Sequence, residues 1–86
     1  SPLAQLKIGD RARVSDETAD PLPLRRKGDS EAAVLDQIPV NTVLVIEAGP
    51  ICRGRFVWWQ VTFKGQPGWV AETNYYNNYN LLPADE

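Results

Sequence analysis

The chain has no histidine and no methionine, and Cys52 is its single cysteine. Without histidine, Ser-His-Asp and Cys-His arrangements cannot be built, and the commonest general base near neutral pH is missing. A lone cysteine forms no internal disulfide, and a thiolate-rich zinc or iron–sulfur site lacks its ligands. No apolar run approaches the roughly 18 residues that a membrane span requires. A formal net charge of −2 gives no global attraction to phosphate backbones. These absences argue against an enzyme, a bound cofactor or metal, membrane insertion and a nucleic-acid partner.

The 86 residues suffice for one small domain with one core. Ser1 is not preceded by a methionine, a charged segment or an apolar leader, so the chain reads as a piece of something longer. No segment has the period or length of a helix beyond one turn. "RARV" alternates, with Ala12 and Val14 on one side and two arginines on the other. Residues 15–23, "SDETADPLP", form a long surface loop running into a short edge strand anchored inward by Leu22 and Leu24. Residues 33–38 form a strand with Val34 inward, and 42–48, "TVLVIEA", a central strand that Gly49-Pro50 ends. The strand Phe56–Phe63 turns through residues 64–67 into 68–71, and a last strand follows at 79–82. Five to six short antiparallel strands in so short a chain predict an all-β fold, a small, partly open barrel. The barrel spans 9–83, with a lead-in at 1–8 and a tail at 84–86.

Several of these segments, taken in order, carry a family resemblance. "LPLRRKGDS" is similar to a Leu-x-Leu-Arg stretch, "VLDQIPVNT" to Val-Leu-x-x-Leu-Pro-x-Gly-Thr, and "WWQVTFKGQPGWVAE" to a Trp-Tyr-Lys-Val hairpin ending in Gly-Trp-Val. Together they resemble the bacterial SH3-like (SH3b) domains from about Gly9 to Pro83. Asn41 stands where that family has glycine, and asparagine tolerates the left-handed backbone such a turn needs. The resemblance implies an SH3-like barrel, a bacterial envelope or secreted setting, and binding of cell-wall peptides.

The adjacent pair Trp58-Trp59 is the most informative feature. Strand neighbours point to opposite faces, so only one of the two enters the core. With Val57, Trp59, Val61 and Phe63 inward, Phe56, Trp58, Gln60 and Thr62 face outward; the reverse choice would bury Gln60 and Thr62. Trp59 is therefore assigned to the core and Trp58 to the outer face. An exposed Trp58 is a candidate binding residue, because tryptophan concentrates binding energy. The alternative is that Phe56, Tyr75, Tyr76 or the acidic loop folds over it. Trp69 is expected in the core or at the barrel seam, and Cys52 as a small buried filler.

In the SH3-like reading, the loop carrying Asp16, Glu17 and Asp20 leans toward Trp58 and the tail's Tyr75 and Tyr76. The result is a shallow aromatic groove with acidic flanks, suited to a peptide bearing a cationic group. "DETAD" lacks the spacing of a calcium loop. Arg25-Arg26-Lys27 reads as a solvated charged face. The chain is thus expected to be a monomeric, non-catalytic module that binds a peptide or peptidoglycan-type cell-wall ligand. The other expectation is a structural domain docking on a neighbouring domain of its own protein.

Overall fold

A computed structural model describes residues 6–17, 20–73 and 78–84. Eight strands follow one another: β1 (Arg11–Val14), β2 (Leu22–Arg25), β3 (Val34–Ile38), β4 (Val43–Val45), β5 (Ala48–Arg53), β6 (Phe56–Phe63), β7 (Gln66–Ala71) and β8 (Leu81–Pro83). All pairings are antiparallel, in a sheet ordered β4-β1-β8 and another ordered β3-β2-β7-β6-β5. No helix occurs among the described residues. The fold is all-β, a small, partly open barrel with more and shorter strands than the five to six expected.

The two sheets close on one core. Ala12, Val14, Leu44 and Leu81 enter it from the first sheet, Ile46 from the link between β4 and β5, and Leu22, Leu24, Ile38, Val57, Trp59, Val61, Phe63 and Val70 from the second sheet. Burial of a large apolar side chain contributes about 1.5–3 kcal/mol, so period-2 alternation in β1, β2 and β6 fixes which side of each strand faces in. Leu6, assigned to the lead-in, also packs into the core. The β6–β7 connection is tighter than residues 64–67: Phe63 pairs with Gln66, and only Lys64 (φ 53°) and Gly65 (φ 78°) turn. Two successive positive φ values are the mark of the type I′ hairpin, whose twist matches the flanking strands. Asn41 adopts φ 69°, and its Oδ1 accepts a hydrogen bond from Arg13 Nη1 at 2.9 Å.

Other expectations are corrected. Gly49-Pro50 does not end a strand at residue 48; it lies within β5 (Ala48–Arg53), an edge strand whose register shifts between Ala48 and Ile51. That shift and the edge position accommodate Gly49-Pro50. Cys52 lies on this edge and is exposed, not a buried filler. The segment "TVLVIEA" supplies β4 at a sheet edge and not at its centre, with Val43 51% and Val45 48% exposed. Conversely, β2 lies between β3 and β7, yet pairs with β7 only at Arg25↔Trp69, which leaves Pro23 clear of that ladder. A register shift at Leu24/Arg25 opposite β3 accompanies an exposed Val34, and Leu35 packs on the core in its place.

One polar residue lies deep in this interior. Glu72 is 1% exposed, and its Oε1 accepts a hydrogen bond from Trp59 Nε1 at 2.7 Å. Its main chain joins three segments: its N–H donates to Val57 O at 2.8 Å, and its carbonyl accepts from Asn80 at 2.7 Å and Leu81 at 3.3 Å. Asn80 extends the seam, its Nδ2 donating to Ala71 O and its carbonyl accepting from Ser15 N. A buried donor stripped of its partner costs about 1–3 kcal/mol. Glu72→Leu is accordingly expected to lower stability by about that amount in urea denaturation, with Glu72→Gln, which keeps an acceptor oxygen, markedly closer to the parent.

Candidate functional site

The strand β6 divides the tryptophan pair as alternation requires. Trp59 is in the core cluster; Trp58 is not, and shares the opposite face with Phe56, its ring edge-on at 6.0 Å and 76°. The expected exposure is overturned, however: Trp58 is 3% exposed. Across the ladder Trp58 pairs with Ala71 and Gln60 with Trp69, which places Trp69 on the same outer face. Trp69 is half-buried there and lies outside the core cluster.

What covers Trp58 is backbone. The loop at 26–33 brings Gly28 so close that a Cβ there would sit 3.0 Å from Trp58 Cβ, 3.2 Å from its Cγ and 3.6 Å from Trp69 Cε3. Only a residue without a side chain lets the main chain come this close to the root of the Trp58 side chain. The loop is held by short-range hydrogen bonds: Arg26 N to Ala33 O at 2.9 Å, Ala32 N to Asp29 O at 3.0 Å, and Arg25 Nη1 to Ala32 O at 3.0 Å. Asp29 also faces Arg53 of β5 at 3.8 Å, an exposed pair that adds little.

Beside this covered indole a cleft of about 400 Å³ opens. Phe56, Trp58, Ala71 and Thr73 line it from β6, β7 and the residues just after β7; residues 20–23 and 78–80 line it as well. Of the predicted site residues, Trp58 and Asp20 are brought together here. Asp16 and Glu17 are exposed and do not line the cleft; the Glu17 N–H donates to Ser15 Oγ at 3.2 Å. The acidic flank thus contributes one carboxylate to the cleft, and Arg25 adds a guanidinium of opposite sign. Tyr75 and Tyr76 lie outside the described residues. Tyr79, bridged to Thr73, lines the cleft, together with Asn78 and Asn80.

Tyr79, Thr73 and Asn80 were missed in the sequence. Alternation offered a signal for Thr73, because residues 71 and 73 continue the outer face of β7 past its end. Two polar atoms set the chemistry of the cleft. Trp58 Nε1 and Thr73 Oγ1 are buried and have no hydrogen-bond partner among the described residues, and both residues line the cleft. Native structures leave few such groups, and each has a physical reason. A second hollow of about 390 Å³, at Leu6–Ile8, Gly49-Pro50 and Trp59, is more open and has no comparable polar pair.

Gly28→Val is expected to lift the loop from the indole, costing about 1–3 kcal/mol through overpacking. Acrylamide quenching of tryptophan fluorescence should increase; a variant as stable and as shielded as the parent would mean that Gly28 does not cover Trp58. Comparison of the chain with protein-family models, with curated proteins and with solved structures finds no match, so the functional reading rests on the geometry of this cleft and on the resemblance in its motifs.

Proposed function

We propose that this domain is a non-catalytic recognition module that binds a peptide, of the cell-wall peptidoglycan type, in the cleft beside Trp58. The observation that carries this reading is the cleft itself: a concave, mostly apolar surface with a few polar groups, the usual make-up of a ligand site. The resemblance of the motifs to bacterial SH3-like domains supports the choice of ligand and an envelope or secreted setting. The half-buried Tyr79 supplies the stacking area, with the buried Phe56 and Trp58 as its floor, and Asp20 meets an amine at the rim. Asp16 and Glu17 contribute only at longer range, where salt screens them. A patch this small gives weak affinity, and linkage to another domain supplies useful strength through effective concentration.

A second reading, docking on a neighbouring domain of a longer protein, is favoured by a different surface. Val43 and Val45 are about half exposed on edge strand β4, and Ile8, 59% exposed, precedes Gly9, whose N–H donates to Ile46 O at 2.8 Å just past the end of that strand. Exposed apolar patches mark contact surfaces.

Titration of ¹⁵N-labelled protein with a soluble disaccharide–peptide fragment of peptidoglycan separates the two. Wall-peptide binding predicts amide shifts confined to Leu22, Trp58, Ala71, Thr73 and Asn80. An unchanged spectrum, or shifts centred on Val43–Val45, would sink it.

A further inference from the structure

The smaller sheet, β4-β1-β8, turns a face of its own to the outside. With Ala12, Val14, Leu44 and Leu81 in the core, the alternate positions Arg11, Arg13, Val43, Val45 and Leu82 face outward. Cross-strand partners share a face, and the register sets Arg11 against Val45, and Arg13 against both Val43 and Leu82. Two arginines on the central strand are thus flanked by apolar side chains on either side. None of these five residues lines the cleft beside Trp58, so the two surfaces are separate.

The charge of this face is one-signed. Its three strands, "RARV", "VLV" and "LLP", contain no acidic residue. Asp10, just before β1, pairs with Lys7 at 3.3 Å, and Glu47, just after β4, accepts a hydrogen bond from Thr62 of β6 at 3.0 Å. Arg13 Nη1 donates to the neutral amide oxygen of Asn41, a contact that orders the guanidinium without neutralising it. A chain of net charge −2 therefore carries a cationic face beside two half-exposed valines.

That combination selects an occupant. A second copy seated through the same face would bring arginine against arginine, because a two-fold contact is made of the same patch twice. A nucleic acid gains little from two cations on a net-negative chain and has no use for the valines. Carboxylates suit guanidinium groups, which they meet in a planar, two-point geometry. Residues two apart on a strand lie about 6.6 Å apart and point the same way, and an extended peptide repeats at that same spacing. Resting on the second reading above, in which this surface docks on a neighbouring domain, we infer that its partner is an extended acidic segment. Carboxylates at alternate residues of that segment lie over Arg11 and Arg13, and its apolar side chains cover Val43 and Val45.

The test titrates the ¹⁵N-labelled protein with acetyl-Glu-Val-Glu-Val-Glu-amide and with its uncharged counterpart, acetyl-Gln-Val-Gln-Val-Gln-amide. The glutamate peptide should shift the amides of Arg11, Arg13, Val43 and Val45, and its affinity should fall as salt is raised. The glutamine peptide should bind roughly tenfold more weakly, the sum of two exposed ion pairs, and Arg11→Gln/Arg13→Gln should weaken the glutamate peptide to the same extent. Should that variant not fold, the two peptides and the salt series on the parent protein decide alone. Equal binding of both peptides at Val43 and Val45 would overturn the acidic preference and leave the docking reading standing. A face that neither peptide perturbs takes the docking reading down as well. Binding of phosphatidylglycerol vesicles in place of the glutamate peptide would overturn the inference in favour of a membrane surface.

Discussion

The hydrogen bond from Trp59 to the buried Glu72 carboxyl is the constraint on which the remaining architecture depends. It pins the largest core side chain to the residue just past the end of β7 and so fixes β6 against β7. Once Trp59 points inward, Trp58 must point outward, since a slip of one residue would exchange the two faces. Glu72 acts through its backbone as well: its carbonyl receives Asn80 and Leu81, which brings the last strand and Tyr79 back to the barrel. One residue therefore positions both the indole side of the cleft and the 78–80 side opposite residues 20–23.

A second constraint gives that cleft its character. Gly28 permits backbone to pack against the base of the Trp58 side chain, whose indole is buried but not fully bonded. Burial of this kind opposes folding, because the N–H loses water and gains no partner among the described residues. In a domain of this size, where little apolar surface is available to offset it, such a group is costly.

The sequence revealed sidedness far better than coverage. Alternation placed Ala12, Val14, Leu22, Leu24, Val57, Trp59, Val61 and Phe63 inward, and each is in the core. It gave the correct face for Trp58 and the wrong exposure, because what covers a residue comes from a distant loop; nothing local to "FVWWQVTF" announces Gly28. The same limit explains Val34, whose orientation accompanies a register shift in a partner strand, and Cys52, which lies on an edge strand that continues through Gly49-Pro50. Glu72 was invisible for another reason. A carboxyl group in "WVAETN" reads as solvated, and only the three-dimensional proximity of Trp59 makes its burial tolerable. The anticipated groove was legible in outline, as an aromatic face beside the acidic loop, but its polar groups belong to Thr73, Tyr79 and Asn80, in a segment read only as turns leading into a last strand at 79–82.

Core and cleft are two faces of one strand pair, β6 with β7, and this makes their contributions separable. Residues on the inward face, Trp59 and Val70, act on the cleft only by keeping the pair in register. Trp58 and Thr73 act on the cleft directly, and they do not belong to the core cluster. Loss of a core contact must therefore lower folding and binding together, because the cleft has no other scaffold. Loss of a polar atom on the outer face leaves the inward face and the register intact. This asymmetry confines the demands of the single core to one face of the strand pair and leaves the other face to shape the cleft.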